Sequence, residues 1–350
     1  MAKLQIVVGG QFGSEAKGAI AGYLAESLTN NDLAVRVAGP NAGHTVVDQQ
    51  GETWKLRQVP VAAVTSHCKL WIAPGSEIDL EVLHREVTDL DAAGFGVQGR
   101  IAVAGSATII DDEHKETERT TLLTERLGST AKGIGAARAA RLMRTAVRFQ
   151  DLHTNYTVNS LASDFLRIGN TVQVEGTQGF GLGLHTDYYP KCTSSDATAV
   201  DFAAMAHVSP WLADEVEVWV VFRPYPIRVA GNSGPLAGET TWENLGLPVE
   251  RTTVTNKVRR VGSWQPDLVR RAIDANGGYQ GAGYAAGRAR GNVHLAMAMA
   301  DHVDQAVYGE KVYEKLTDDV RGFVSRVESQ LGYPVELIGT SPSTVVDRRV

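Results

Sequence analysis

The sequence predicts an α/β protein built on a mainly parallel central sheet flanked by helices. Two observations carry this. Apolar runs alternate with helical patterns: 4–8, 33–37, 69–73, 101–104, 171–174 and 216–222 read as strands, and 78–90, 136–149, 155–167 and 197–207 as helices, an alternation that covers a parallel sheet on both faces. The first run also leads into a glycine-rich loop, Gly-Gly-Gln-Phe-Gly-Ser-Glu-Ala-Lys-Gly at 9–18. An amphipathic stretch follows, with apolar residues at Ala19, Ile20, Tyr23, Leu24 and Leu28. The order is strand, glycine loop, helix.

Such a loop aims backbone N–H groups and a helix N-terminus at one point, where a phosphate can sit. Lys17 adds a charge beside them. The loop is not a Walker A motif, because Lys17 stands four residues after Gly13 rather than directly after a second glycine. A second loop, Gly-Pro-Asn-Ala-Gly-His-Thr at 39–45, follows the run 33–37. Open α/β sheets bind ligands at the carboxyl ends of their strands, so both loops belong to one candidate crevice.

Composition bounds the reading. A chain of 350 residues can bury a large core, and no Pro/Ser-rich linker divides it, so 1–350 reads as a single domain with loop excursions. One excursion is 277–291, which holds six glycines. The formal net charge of −6 disfavours a general nucleic-acid binder and makes any phosphate recognition local. Cys68 and Cys192 make no disulfide framework and fit a reducing cytosol. Cys192 reads as a small space-filling residue. The N-terminus reads as a strand and not a signal peptide. No apolar run approaches the ~20 residues of a membrane helix, so a cytoplasmic protein without a membrane partner is expected.

The two loops together resemble the signature of the adenylosuccinate synthetases, Gly-x-Gln-Trp-Gly-Asp-Glu-Gly-Lys-Gly followed by Gly-x-Asn-Ala-Gly-His-Thr. The match continues through Gly-Ser-Thr-Ala-Lys-Gly-Ile-Gly at 128–135, Val-Glu-Gly-Thr-Gln-Gly at 174–179 and Tyr-Pro-Lys-Cys-Thr-Ser-Ser at 189–195. The resemblance implies the P-loop-NTPase-like fold of that family. It also implies a ligase that joins L-aspartate to C6 of a 6-oxopurine nucleotide. In that chemistry O6 attacks the γ-phosphate of a nucleoside triphosphate, and the aspartate amine then displaces the phosphate from C6. The first step needs N1 deprotonated, Mg²⁺ across the phosphates and a donor for the developing charge.

Carried onto this chain, the resemblance assigns the triphosphate to Gly13, Ser14, Glu15, Ala16, Lys17, Gly18, Gly43, His44, Thr45 and Asp301. Ser14, Lys17 and His44 are the expected catalytic residues, His44 as donor to the transferring phosphoryl group. Ser14 and the Gly43 carbonyl are the expected Mg²⁺ ligands. Ser14, Asn41, Ser129, Thr130, Gln178, Leu182 and Thr193 are expected to hold the purine nucleotide. Arg144 is expected to reach the same nucleotide across a homodimer interface. Of the basic residues Arg138, Arg141, Arg144 and Arg148, which recur every three or four positions, the other three read as a solvated helix face. The aspartate loop corresponds to Thr253, Val254, Thr255, Asn256, Lys257, Arg259 and Arg260. There Lys257 replaces one family arginine, Val258 another, and Ser263 is an extra residue before Trp264. Two remaining arginines can clamp carboxylates bidentately.

Two departures bear on the substrates. Ser14 stands where the family has an aspartate that takes the N1 proton and helps to hold Mg²⁺. A hydroxyl is a poor base and a weak metal ligand, which leaves open a non-catalytic nucleotide-binding homologue, an IMP-using synthetase with another base, or a different purine. Guanine carries an amino group at C2, beside N1; an aspartate would crowd it, whereas Ser14 leaves space and an acceptor. This combination, with a chain shorter than the usual bacterial enzyme, resembles the dGMP-using 2-aminoadenylosuccinate synthetases of bacteriophages, a branch of the family that supplies diaminopurine deoxynucleotides. The second departure lies at 298–301, Ala-Met-Ala-Asp, where Met299 replaces the lysine of the family's GTP-reading motif. Asp301 can still accept from an exocyclic amine, so ATP or dATP is the expected phosphate donor.

Overall fold

The computed structural model describes residues 1–37, 39–152, 159–252, 256–278 and 292–349. Thr253, Val254, Thr255, most of the glycine-rich stretch 277–291 and the start of the expected helix 155–167 lie outside these residues.

The central sheet has nine strands: β1 (Lys3–Gly9), β2 (Leu33–Arg36), β3 (Lys69–Ile72), β4 (Ile101–Val103), β5 (Thr171–Glu175), β6 (Glu215–Phe222), β7 (Asn292–Met297), β8 (Val335–Ser341) and β9 (Thr344–Asp347). Their spatial order is β9-β8-β7-β6-β1-β5-β2-β3-β4. Every neighbouring pair is parallel except the terminal hairpin β8–β9. All six expected strands are present. The sequence reading missed β7, β8 and β9, which form one edge. β7 has two polar residues in its first three positions, Asn292 and His294, and β8 and β9 mix polar with apolar residues along their length.

Alternation along the strands builds two cores. Leu4, Ile6 and Val8 of β1 join Leu33, Val35, Val174 and Val220 on one face. Val7 joins Ile20, Ala34, Leu70 and Val221 on the other. Helices Ala199–Met205, Pro266–Ala275 and Asp318–Leu331 cover the first face through Phe202, Val269 and Val324, and Lys17–Ala25 and Leu80–Ala92 cover the second. Among the described residues no helix is long and apolar enough to cross a membrane.

The chain leaves β1 towards β2 on one side and returns through β5 to cross to β6 on the other. The carboxyl end of β1 is therefore the topological switch point, and the loops after β1, β2, β5 and β6 meet there.

The expected helix 136–149 is shorter than read. It runs Ile134–Met143 and ends at Arg144, whose left-handed φ of 64° turns the chain away. The Arg144 and Thr145 amides donate to the Arg141 and Ala140 carbonyls and close that end. Arg148 is thus not on the helix; it pairs with Asp151 at 2.7 Å. Nor is Arg138 part of a solvated face: it bonds Glu77 at 2.7 Å and the Ser194 carbonyl at 3.1 Å. The continuous basic stripe is therefore absent, because helix termination by an arginine gives no sequence signal of the kind a glycine would.

Gly176, just after β5, tests the packing at the switch point. A Cβ there would lie 2.7 Å from the Val7 carbonyl and 2.6 Å from a Phe202 ring carbon. Gly176→Ala should destabilise by about 1–3 kcal/mol. Gly322→Ala, in an open helical position with no neighbour within 4 Å, should stabilise by about 1 kcal/mol. Chemical denaturation of both variants checks the two opposite signs.

Candidate active site

The loop after β1 is folded around the side chain of Glu15. Its carboxylate, fully buried, accepts from the backbone N–H of Gln11 at 3.1 Å and of Gly13 at 2.7 Å, and from Lys17 Nζ at 2.6 Å. The slot it occupies exists because residues 9 and 179 lack side chains. A Cβ on Gly9 would lie 2.7 Å from Glu15 Oε2, and one on Gly179 would meet Glu15 Oε1 and the Gly13 nitrogen. Gly13, Ser14 and Ala16 all take left-handed backbone, with φ of 83°, 59° and 58°. For the two non-glycines this costs about 1–2 kcal/mol each, and the Glu15 contacts hold the loop there. Ser14 is left half-exposed at the turn. The following helix, Lys17–Ala25, has no side-chain cap at its start, so its first N–H groups remain the kind of donors that bind anions. Glu15 and Lys17 are thus loop-forming partners first, each almost fully buried.

The second loop packs directly on this helix. A Cβ on Gly18 would stand 2.8 Å from His44 Cβ and 2.7 Å from the Thr45 carbonyl, so close approach of the helix to the strand His44–Val47 places His44 beside the helix start. Behind His44 stands a buried ion-pair cluster. Arg36 Nη1 lies 2.5 Å from Glu175 Oε1 and 2.6 Å from His44 Nδ1, and His44 Nδ1 itself contacts the same Oε1. Arg36 also donates to the Ala42 carbonyl at 2.9 Å, and Glu175 accepts from the Val61 amide at 2.8 Å. Burial, then the neighbouring Arg36 charge, lowers the His44 pKa to about 4. Burial acts against ionisation of Glu175, but Arg36 and His44 more than offset it and hold its pKa low. Neutral His44 carries one ring proton, and its Nδ1 edge is fixed between the Glu175 carboxylate and the Arg36 guanidinium.

The residues expected on the purine side lie around the same loop. Gly13 abuts Leu182 and Gln178, Gln178 has a left-handed φ of 60°, and the Thr193 amide donates to the Leu182 carbonyl at 2.8 Å. Gly39 packs on the side chain of Ile134, which brings Asn41 and the segment 128–135 to one side of the crevice. There Ser129 Oγ accepts from the Ala131 amide at 3.1 Å, and the Gly133 and Gly135 amides donate to buried Glu118. Asn41 and Thr130 are half-buried and Gly43 is exposed. Arg144 is exposed at its helix end, beside Leu142 at 77% and Met143 at 73% exposure.

The remaining residues divide. Arg223, at the end of β6, donates to the Ser14 carbonyl at 3.2 Å, pairs with Glu250, and lies 3.4 Å from His302 Nδ1. His302 adjoins Asp301, whose pKa burial raises. Arg259 Nη1 reaches the same Glu250 at 3.3 Å. Asp301 and Arg259 are thus linked to the Ser14 loop. Arg260 is not: Glu239 engages it at 2.6 and 2.7 Å, and the Gly234 carbonyl at 2.7 Å. Asn256 and Lys257 are exposed. The sequence reading passed over Arg36, Glu175, Arg223, Glu250 and Glu118. A signal was present for two of them, because Arg36 and Glu175 are charged residues ending apolar strands directly before glycine loops.

A left-handed loop, an uncapped helix start and a histidine at the switch point of a parallel sheet define a nucleotide-phosphate-binding α/β protein. The comparisons give the family. The model of the adenylosuccinate synthetase family matches residues 6–164 and 153–282. Adenylosuccinate synthetases of Pyrococcus horikoshii and Methanococcus maripaludis are each 37% identical, covering 98% and 96% of both chains. The fold matches the succinoaminodeoxyadenylate synthetase (PurZ) of cyanophage S-2L, bound to dGMP and to dATP as an energy donor, with TM-score 0.81, 25% identity and coverage of 99% of this chain and 96% of that one. It also matches Plasmodium falciparum adenylosuccinate synthetase, with TM-score 0.80, 17% identity and coverage of 98% and 99%. The chain belongs to the adenylosuccinate synthetase family and is a carbon–nitrogen ligase of that family. Its short length, read above as pointing to the phage branch, is shared with the archaeal synthetases and does not discriminate.

The two histidines make stability pH-dependent. Burial, then Arg223, also lowers the His302 pKa to about 4, while the unfolded value is about 6.5. Between these values the unfolded chain binds the extra protons, so stability should fall as pH drops from about 6.5 towards 4. Urea denaturation should show lower stability at pH 5 than at pH 7. A His44→Gln, His302→Gln double variant should flatten the difference; an unchanged difference would assign it to other groups.

Proposed function

We propose that this ligase joins L-aspartate to C6 of dGMP with ATP or dATP as phosphate donor, giving 2-amino-2′-deoxy-N6-succinyladenylate through a 6-phosphoryl purine. The carrying observation is Ser14. It sits half-exposed at the left-handed turn of the phosphate loop, where the family signature has an aspartate. Its small hydroxyl leaves room for the guanine 2-amino group and can accept from it. The PurZ relative, bound to dGMP and dATP, supports the same reading. A conventional IMP-using synthetase is the second reading, favoured by the archaeal relatives over nearly their whole length.

In this reading the N–H groups at the start of helix Lys17–Ala25 and the Lys17 ammonium hold the triphosphate. Gln178, Leu182, Thr193, Asn41, Ser129 and Thr130 hold the purine nucleotide, and Asp301 faces the donor base. His44 is neutral in the free protein, but a triphosphate brought beside it raises its pKa by opposite charge, and its Nε2 then becomes a donor to the transferring phosphoryl group. Glu175 holds the ring in that orientation through Nδ1.

The residues present fit a Mg²⁺ held mainly by phosphate. Among the described residues no cluster of three or more His, Cys, Asp or Glu side chains is arranged for a metal, and Glu15 and Glu175 are committed to internal partners. The available ligands are the Ser14 hydroxyl and the Gly43 carbonyl, hard neutral oxygens that leave charge balance to the phosphates. Bound there, Mg²⁺ would neutralise charge on the transferring phosphoryl group. The exposed Leu142, Met143 and Arg144 suit a homodimer contact that delivers Arg144 to the partner's purine nucleotide.

A coupled phosphate-release assay with aspartate, ATP and each of dGMP, GMP, dIMP and IMP tests the proposal. Turnover should be fastest with dGMP, with one phosphate released per succino-purine formed; faster turnover of IMP would select the conventional reading. His44→Ala should lower kcat by about 10²–10³ with nucleotide binding nearly intact. A loss confined to KM would make His44 a binding residue. Mixing inactive Arg144→Ala and His44→Ala subunits should restore partial activity, since one hybrid site receives both native residues; no recovery in verified heterodimers would place Arg144 outside the partner's site.

A further inference from the structure

The buried charges behind Ser14 are more than packing. Arg223 is fully buried at the end of β6. Its backbone is clamped by Gln11, whose Oε1 accepts from the Arg223 amide and whose Nε2 donates to the Arg223 carbonyl, both at 3.0 Å. Its guanidinium spans two loops, donating to the Ser14 carbonyl at 3.2 Å and to both oxygens of Glu250. Glu250 is shared: Arg259 donates from Nη1 at 3.3 Å, and the Arg259 amide donates to the Glu250 carbonyl at 2.9 Å. One carboxylate therefore bridges the arginine behind the phosphate loop and an arginine of the Thr/Arg-rich loop.

The donors left over indicate what this arrangement serves. Glu250 occupies only Nη1 of Arg259, and Arg259 Nε is buried without a partner. Anchoring Nη1 fixes the plane of a guanidinium whose side chain stays 16% exposed, and a fixed planar fork suits a second carboxylate. Glu250 itself stays ionised: burial opposes its charge, but Arg223 and Arg259 outweigh that and hold its pKa low. The anchor thus persists across the neutral pH range.

We infer that Arg223 and Glu250 are a positioning pair that sets the amino-acid subsite: Glu250 fixes the Arg259 guanidinium, and Arg223 ties that anchor to the backbone of Ser14. The inference rests on the ligase reading and adds to it two residues that touch no substrate. It has a specific kinetic signature. A positioning pair for Arg259 controls the aspartate KM, whereas a general structural role affects every substrate alike.

The experiment is steady-state kinetics on Glu250→Gln and Arg223→Lys, varying aspartate, purine nucleotide and ATP separately, with thermal unfolding alongside. Glu250→Gln should raise the aspartate KM at least tenfold while the two nucleotide KM values stay within threefold. Arg223→Lys keeps a charge facing Glu250 but loses the fork that also reaches Ser14, and should raise the aspartate KM by a smaller factor, about threefold to fivefold. Parallel rises in all three KM values, or an aspartate KM unchanged in folded Glu250→Gln, would overturn the inference. If Glu250→Gln does not fold, an unchanged aspartate KM in Arg223→Lys would do the same. Absence of any aspartate-dependent phosphate release by the wild-type protein would overturn the ligase reading and this inference together; the variant results overturn the inference alone.

Discussion

The buried carboxylate of Glu15 is the constraint on which the site depends. It collects two loop amides and the Lys17 ammonium within 3.1 Å, and it can do so only because glycines at 9 and 179 vacate its slot. Folding the loop inward on this group sets Gly13, Ser14 and Ala16 into left-handed backbone and leaves the helix start open. An acidic side chain buried in a phosphate loop would be unfavourable if it faced the ligand. Here it is turned into the loop and paired with Lys17, while the start of helix Lys17–Ala25 stays without a side-chain cap. Removing Glu15 would leave three buried donors unmet, a larger penalty than the net value of the bonds.

The same logic recurs around the crevice. The loops after β1, β2, β5 and β6 are held by charge sets that are buried or partly buried: Glu15 with Lys17, Glu175 with Arg36 and His44, and Glu250 with Arg223 and Arg259. Buried ion pairs add little net stability compared with apolar packing, but breaking one leaves a charge stranded. Their value lies in orientation. The backbone of Ser14 and the side chains of His44 and Arg259 are each held by a charged partner from another segment: Arg223, Glu175 and Glu250.

Much of this was legible in the sequence. The six strands found from apolar runs are dominated by Val, Ile, Leu and Ala, with single polar breaks such as Gln5, Arg36, Gln173 and Glu217, because strands buried on both faces need no regular polar alternation. The edge strands β7 to β9 were not legible, since His294 breaks one and the others are short or mixed. The motif residues Gly13, Gln178, Leu182 and Thr193 do meet, as Gly18 and His44 do. What the motifs could not reveal was how each side chain is spent. Arg260 looked available and is engaged by Glu239; Arg138 looked solvated and is tied to Glu77. Long-range partners such as Glu175 for Arg36, 139 residues apart, leave no local pattern.

The central claim is that the side chain at position 14 selects the purine by the space and hydrogen bonding it offers at C2. The most direct measurement is the ratio of kcat/KM for dGMP to that for dIMP in the wild-type protein and in Ser14→Asp. Aspartate restores a base and an anionic ligand while filling the space beside N1. The account predicts that dGMP turnover falls and dIMP turnover rises, moving the ratio by at least about tenfold, or ~1.4 kcal/mol. Equal loss on both purines, leaving the ratio unchanged, would contradict it and assign Ser14 to the loop fold or to catalysis in general.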